Sequence, residues 1–167
     1  MSIARHHNEW LSLLEVSGPF LWLPVLMRVF PQELEEQDSE ASKNLRIAHD
    51  EWEADGRDPA IHTAWLEFVL GTGLEYPENY LLSGQAIPPG LVVRVPEHNE
   101  NLRPTWVLKA PEGAQPGLLV SAYPPEQSLD RAVHGMAWKA SPATRMMTLL
   151  HGTGVPLGLV TNGEHWL

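Results

Sequence analysis

The chain predicts an α/β fold: an N-terminal helical extension over residues 1–58, then a core over 59–167 of order α-β-β-β-α-β. Three observations lead there. Apolar residues keep the helical spacing as far as Leu70, the pattern changes to short β-prone runs from Leu91, and Ser141-Pro142 reopens a helix before one last β-prone run. At 167 residues the chain is long enough to bury a sizeable core in a single domain.

Each element has its local reason. Residues 8–16 offer Asn8 as a cap and apolar positions at 10, 13 and 14, with Gly18-Pro19 as the stop. Residues 20–30 make a second helix with Pro24 in its first turn, where a missing N–H costs little. An acidic stretch with Glu33, Glu35, Glu36, Asp38 and Glu40 leads into a third helix, in which Leu45, Ile47, Ala48 and Trp52 align only loosely. Asp55-Gly56-Arg57-Asp58-Pro59 reads as a turn. Residues 61–70 form the first core helix, with Ile61, Trp65, Phe68 and Val69 on one face and Gly71 as its stop. Residues 77–90 are rich in turn formers; residues 91–95, 106–108 and 118–120 are the three strands. Ser141 as N-cap and Pro142 at the first helical position open a helix that runs through Met146 and Leu149 to Gly152. Residues 155–161 make the last strand, and Asn162-Gly163 signals a two-residue hairpin. The returning strand has four residues, so a core cut short within its C-terminal hairpin is expected.

Composition excludes several classes. Without cysteine there are no disulfides and no thiolate metal sites, which suits a reducing cytoplasm. Eleven basic against 21 acidic residues give a formal charge of -10, which repels a phosphate backbone and argues against an autonomous DNA binder. The N-terminus lacks the apolar run of a secretory signal. The longest apolar run, residues 20–29, is broken by Pro24 and Arg28 and falls well short of the ~20 residues that cross a bilayer. A soluble cytoplasmic protein without membrane partners is expected.

The motif-bearing stretch is Arg103-Pro104-Thr105-Trp106-Val107-Leu108, followed by Leu118-Leu119-Val120-Ser121-Ala122-Tyr123-Pro124-Pro125. Its layout resembles the metal site of PD-(D/E)xK restriction nucleases, in which one strand carries Pro-Asp and the next carries Glu-x-Lys behind an apolar run. Thr105 stands at the Asp position, Ser121 at the Glu position and Tyr123 at the Lys position. Two carboxylates hold the hard divalent cation in such a site, and the Lys assists near the attacking water. Three neutral side chains cannot run that chemistry.

With Gly154-Val155-Pro156-Leu157-Gly158-Leu159-Val160-Thr161-Asn162-Gly163-Glu164-His165-Trp166, these segments resemble the N-terminal nuclease-like domain of large adenine-specific DNA methyltransferases. Such proteins are of the type IIG restriction-modification kind, or belong to DISARM- or BREX-like phage defence. The likeness covers roughly residues 60 to 167. It implies a degenerate PD-(D/E)xK core with a mixed sheet. S-adenosylmethionine would be a cofactor of the parent protein and not of this chain, which has neither an Asn-Pro-Pro-Tyr motif nor a Gly-rich loop after a strand. Glu67 matches the family's helix carboxylate, but one acid alone does not hold the metal.

Other constellations favour plain readings. No two of the eight histidines carry a zinc-protease spacing. Gly71-Thr72-Gly73 and Gly152-Thr153-Gly154 each follow a helix, where glycine caps it, rather than precede one, where it cradles phosphate. Ser121 lies in an apolar strand without a nucleophile elbow. Arg103, Lys109, Arg131, Lys139 and Arg145 flank the would-be site; together with Trp138, Asn162 and Trp166 they are the candidates for contact with DNA or a partner. Core packing is the preferred role for the tryptophans, and a scattered arrangement for the basic residues.

The resulting expectation is a non-catalytic, nuclease-like accessory domain that positions DNA or partner subunits, such as the methyltransferase domain, in a bacterial defence protein. The alternatives are an active metal-dependent endonuclease with migrated acids among Glu67, Glu112 and Glu126, and a stand-alone acidic interaction module.

Overall fold

The computed structural model describes Arg28 and residues 39–55, 58–110 and 115–167. The helices expected at 8–16 and 20–30, and the acidic residues 33–38, lie outside the described residues. The compact unit runs from Glu40 to Leu167 and therefore takes in a helix that the sequence assigns to the extension.

That helix, α1 (Ser39–Asp55), buries Trp52 and leaves Leu45 and Ile47 exposed, as their loose alignment implies. Helix α2 (Pro59–Phe68) begins where Asp58, in extended conformation, accepts the Ala60 N–H at 2.7 Å and Pro59 fills the first position. Such a cap contributes ~1 kcal/mol. Gly71 does not stop α2. The helix widens into a π-turn, Val69–Gly73, in which the Leu74 N–H reaches the Val69 carbonyl and the Tyr76 N–H the Gly71 carbonyl, each at 2.9 Å. The chain turns out at Glu75 instead, with φ 53°.

The central sheet has four strands, β1 (Leu81–Ser83), β4 (Trp106–Lys109), β5 (Pro116–Ala122) and β6 (Leu157–Thr161), in that order. β1 and β5 each pair antiparallel with β4, and β6 runs parallel to β5. A parallel neighbour needs a crossover, supplied by α3 (Pro142–Thr153). Ser141 caps α3 by accepting the Thr144 N–H at 3.2 Å, and Gly154, with φ 72°, ends it with an N–H bond to Leu150.

One expected core strand is placed differently. Residues 91–95 are not the first strand of the sheet; that role falls to β1, within a stretch read as turns. Only Val93–Val95 is extended, as β2, and it pairs with β3 (Glu100–Leu102) in a separate two-stranded ribbon. Pro89 and Pro96 impose short 3-10 turns on either side of β2, and Asn99 takes the left-handed conformation that closes the ribbon.

The sheet separates two apolar clusters. Val107, Leu119 and Val160 face Met146 and Leu149 of α3, Val95 and Leu102 of the ribbon, and Leu91 of the turn before it. Trp106, Leu108 and Val120 face the other way, toward Trp52 of α1 and Trp65, Leu66 and Leu70 beyond it. Alternation along each strand places neighbours on opposite faces, which fixes the register. Among the described residues, no helix is long and apolar enough to cross a membrane.

The Asn162-Gly163 turn is wider than a two-residue hairpin. Thr161 bridges Trp166, Val160 exchanges both backbone bonds with Leu167, and the Asn162 side chain accepts the N–H groups of Glu164 and His165. An Asn that bonds its own following backbone in this way organises a longer loop.

Candidate functional site

Thr105 enters β4 with its N–H on the Val120 carbonyl at 2.7 Å, and its hydroxyl accepts the Ala122 N–H at 2.9 Å. Residue 122 lies between Ser121 and Tyr123, so the three positions of the nuclease-like motif meet at the adjoining ends of β4 and β5. Ser121 is buried, Thr105 exposed and Tyr123 half-buried.

On the α3 side of Tyr123 the space is filled. Arg145 of α3 is buried and donates from Nη2 to Glu100 Oε1 at 3.3 Å and to the Trp138 carbonyl at 3.0 Å. Its Nη1 lies 2.9 Å from Glu100 Oε2, close enough for charge contact but off hydrogen-bond alignment. The guanidinium sits 5.1 Å from the centre of the Trp138 ring, and that ring stacks on His98 at 5.1 Å. Burial raises the Tyr123 phenol above its ordinary value near 10; the Arg145 charge opposes this and the Glu100 charge adds to it. A phenol, two small hydroxyls and an internally neutralised ion pair meet here. These residues do not fit a divalent cation.

Behind the strand ends, His62 of α2 is a fixed brace. The Trp52 indole donates to its Nδ1 at 3.0 Å, so the ring carries its proton on Nε2 and donates it to the Tyr123 carbonyl at 2.9 Å. Trp65 donates to the Gly163 carbonyl at 3.0 Å. Asn162 donates to the carbonyls of Pro125 and Gln127, and buried Gln127 in turn accepts the His134 N–H. The hairpin tip, the loop after β5 and both helices are thus tied together. The sequence shows the Asn-Gly signal but not these partners, which lie far along the chain.

The remaining candidates are dispersed. Arg103 donates to the Gly84 carbonyl and Lys109 to that of Asn79, so both clamp the flanks of β1. Lys139 and Arg131 are exposed; Asn162 is buried, and Trp166 packs on the α1–α2 side of the sheet. Glu67 opens onto a different cavity, beside Glu75 and Tyr76, and does not join the motif positions. Glu112 lies outside the described residues. Glu126 is exposed beside a slot of about 320 Å³ between α2 and the ends of β4 and β5.

One further group escapes a search for paired histidines. His49, Asp50 and Glu53 of α1 each present a ligand atom within 4.8 Å of the others. Asp50 and Glu53 are exposed, and the His49 ring packs on Trp52 and Trp65 at 5.6 and 5.5 Å. Comparison of the chain with protein-family models, with curated proteins and with solved structures returned no match.

Proposed function

We propose that this chain is a non-catalytic, nuclease-like accessory domain of a bacterial restriction-modification or phage-defence DNA methyltransferase, working in the cytoplasm by contact with neighbouring subunits. The observation that carries the reading is the convergence of Thr105 with Ser121 and Tyr123 through the Thr105–Ala122 bond. Strand order and directions support it: a three-strand antiparallel meander, a crossover helix and a parallel fourth strand are what a PD-(D/E)xK core implies.

Electrostatics favour protein over DNA as the thing contacted. The formal charge is -10, the Arg145 charge is answered by Glu100, and Arg103 and Lys109 are engaged by backbone carbonyls. DNA binding at physiological salt depends on clustered cations that release counterions. S-adenosylmethionine, on this reading, belongs to a methyltransferase domain elsewhere in the parent protein.

The test is plasmid cleavage with magnesium or manganese, run beside gel shifts across a salt series. No nicking and only weak, salt-labile retardation are expected. Metal-dependent cleavage that disappears in Glu67→Ala or Glu126→Ala would instead establish an active nuclease with migrated acids.

A further inference from the structure

We propose that the slot between α2 and the β4–β5 ends, with the acidic cleft adjoining it, is a docking site for a basic peptide segment carrying one apolar anchor side chain. This names the partner chemistry for the accessory-domain reading and rests on it. The slot is walled by Leu66, Trp106, Ala122, Pro124 and Pro125, and its 320 Å³ lies at the small end of ligand cavities.

Three of its polar side chains are already engaged. Both nitrogens of His62 are engaged, Thr105 Oγ1 holds the Ala122 N–H, and Thr63 donates to the Pro59 carbonyl at 2.7 Å. An apolar side chain entering against Leu66, Trp106, Ala122 and the two prolines therefore strips water from apolar wall, which makes burial favourable.

Pro125 and Glu126 are shared with a second, larger cleft of about 930 Å³. Glu53, Asp55, Asp58 and Glu164 line that cleft, and all four are exposed. Among the described residues lining either cavity there is no Lys or Arg; Arg57 lies outside the described residues. With Glu126, five carboxylates repel phosphate and attract cationic side chains. A small neutral ligand would use only the slot, and a simple cation only the cleft. One chain that alternates Lys or Arg with an apolar residue uses both at once.

The experiment titrates the full chain with a capped, fluorescein-labelled peptide of Lys and Arg around one central Leu, followed by anisotropy. Saturable binding is expected. It should weaken about tenfold or more when Ser replaces the central Leu, and about two- to fivefold for each of Glu53→Lys and Glu164→Lys. Thr63→Phe, at an exposed position of α2, fills the slot and should abolish the Leu-against-Ser difference while leaving the salt dependence. Circular dichroism checks that the variants stay folded. The proposal is overturned if no saturable binding is found, if Leu and Ser peptides bind alike, or if a single-stranded oligonucleotide displaces the peptide. A peptide that fails to bind a chain that also fails to cleave plasmid refutes the docking site alone. Metal-dependent cleavage refutes the accessory-domain reading, whatever the peptide does.

Discussion

Replacing Arg145 with Met strands the Glu100 carboxylate, and the structure sets the size of the effect. The two side chains are 7% and 16% exposed, so the pair is shielded on the arginine side and reached by some water on the glutamate side. Removing one partner of a fully buried pair costs about 3–5 kcal/mol. Partial access by water argues for the lower end, ~3 kcal/mol, to which loss of the Trp138 stacking adds about 0.5–1 kcal/mol. In a unit of this size, ~3 kcal/mol corresponds to a fall in Tm of roughly 10 °C. Glu100→Gln should cost a similar amount, because the guanidinium then loses its counter-charge. The double variant Arg145→Met/Glu100→Gln leaves no unpaired charge, and much of the loss should return. The assay is urea unfolding of wild type, both singles and the double, read as a double-mutant cycle. Single costs below about 0.5 kcal/mol, or strictly additive effects, would refute the view that this ion pair is a closed, mutually dependent plug.

Other perturbations have comparable leverage. A Cβ at Gly163 would lie 2.8 Å from His62 Cε1 and 2.9 Å from Trp52 Cζ2, on backbone with φ +91°. Gly163→Ala should therefore cost about 2–5 kcal/mol, whereas Gly135→Ala, with φ +74° but open space around it, should cost only ~1–2 kcal/mol of backbone strain; thermal melts compare them. Trp65→Phe keeps the ring but leaves the Gly163 carbonyl without its indole donor, for a loss of about 1–3 kcal/mol in urea unfolding. The folded state holds the Tyr123 proton more tightly than the unfolded chain does. Its stabilising effect is therefore complete below the ordinary tyrosine value near 10 and is lost as pH climbs through the raised folded value. Tyr123→Phe should flatten that alkaline loss, measured as the unfolding midpoint at neutral and high pH.

Much of the fold is legible in local chemistry. Asp58-Pro59 and Ser141-Pro142 start helices because a side-chain acceptor and a preset φ act within one turn, and Gly154 ends one for an equally local reason. Leu81–Ser83 is not legible: three residues make a strand only because Trp106, Val107 and Leu108 lie opposite them. Gly71 misleads because a π-turn's longer bonds carry the helix past it. That residues 105, 121 and 123 lie at adjoining strand ends can be read from two neighbouring β-prone runs. What covers them cannot, since Arg145 is buried by virtue of Glu100, 45 residues away, and the His62 brace depends on a carbonyl 61 residues along.

The Trp65–Gly163 bond joins residues 98 apart, and this bears on when the molecule can finish folding. During synthesis at ~5–20 residues per second, the indole leaves the ribosome roughly 5–20 s before its acceptor. For that interval α1 and α2, which carry Trp52 and Trp65, stand without the turn that later clamps them. Their apolar faces are then open to chaperones and to wrong partners.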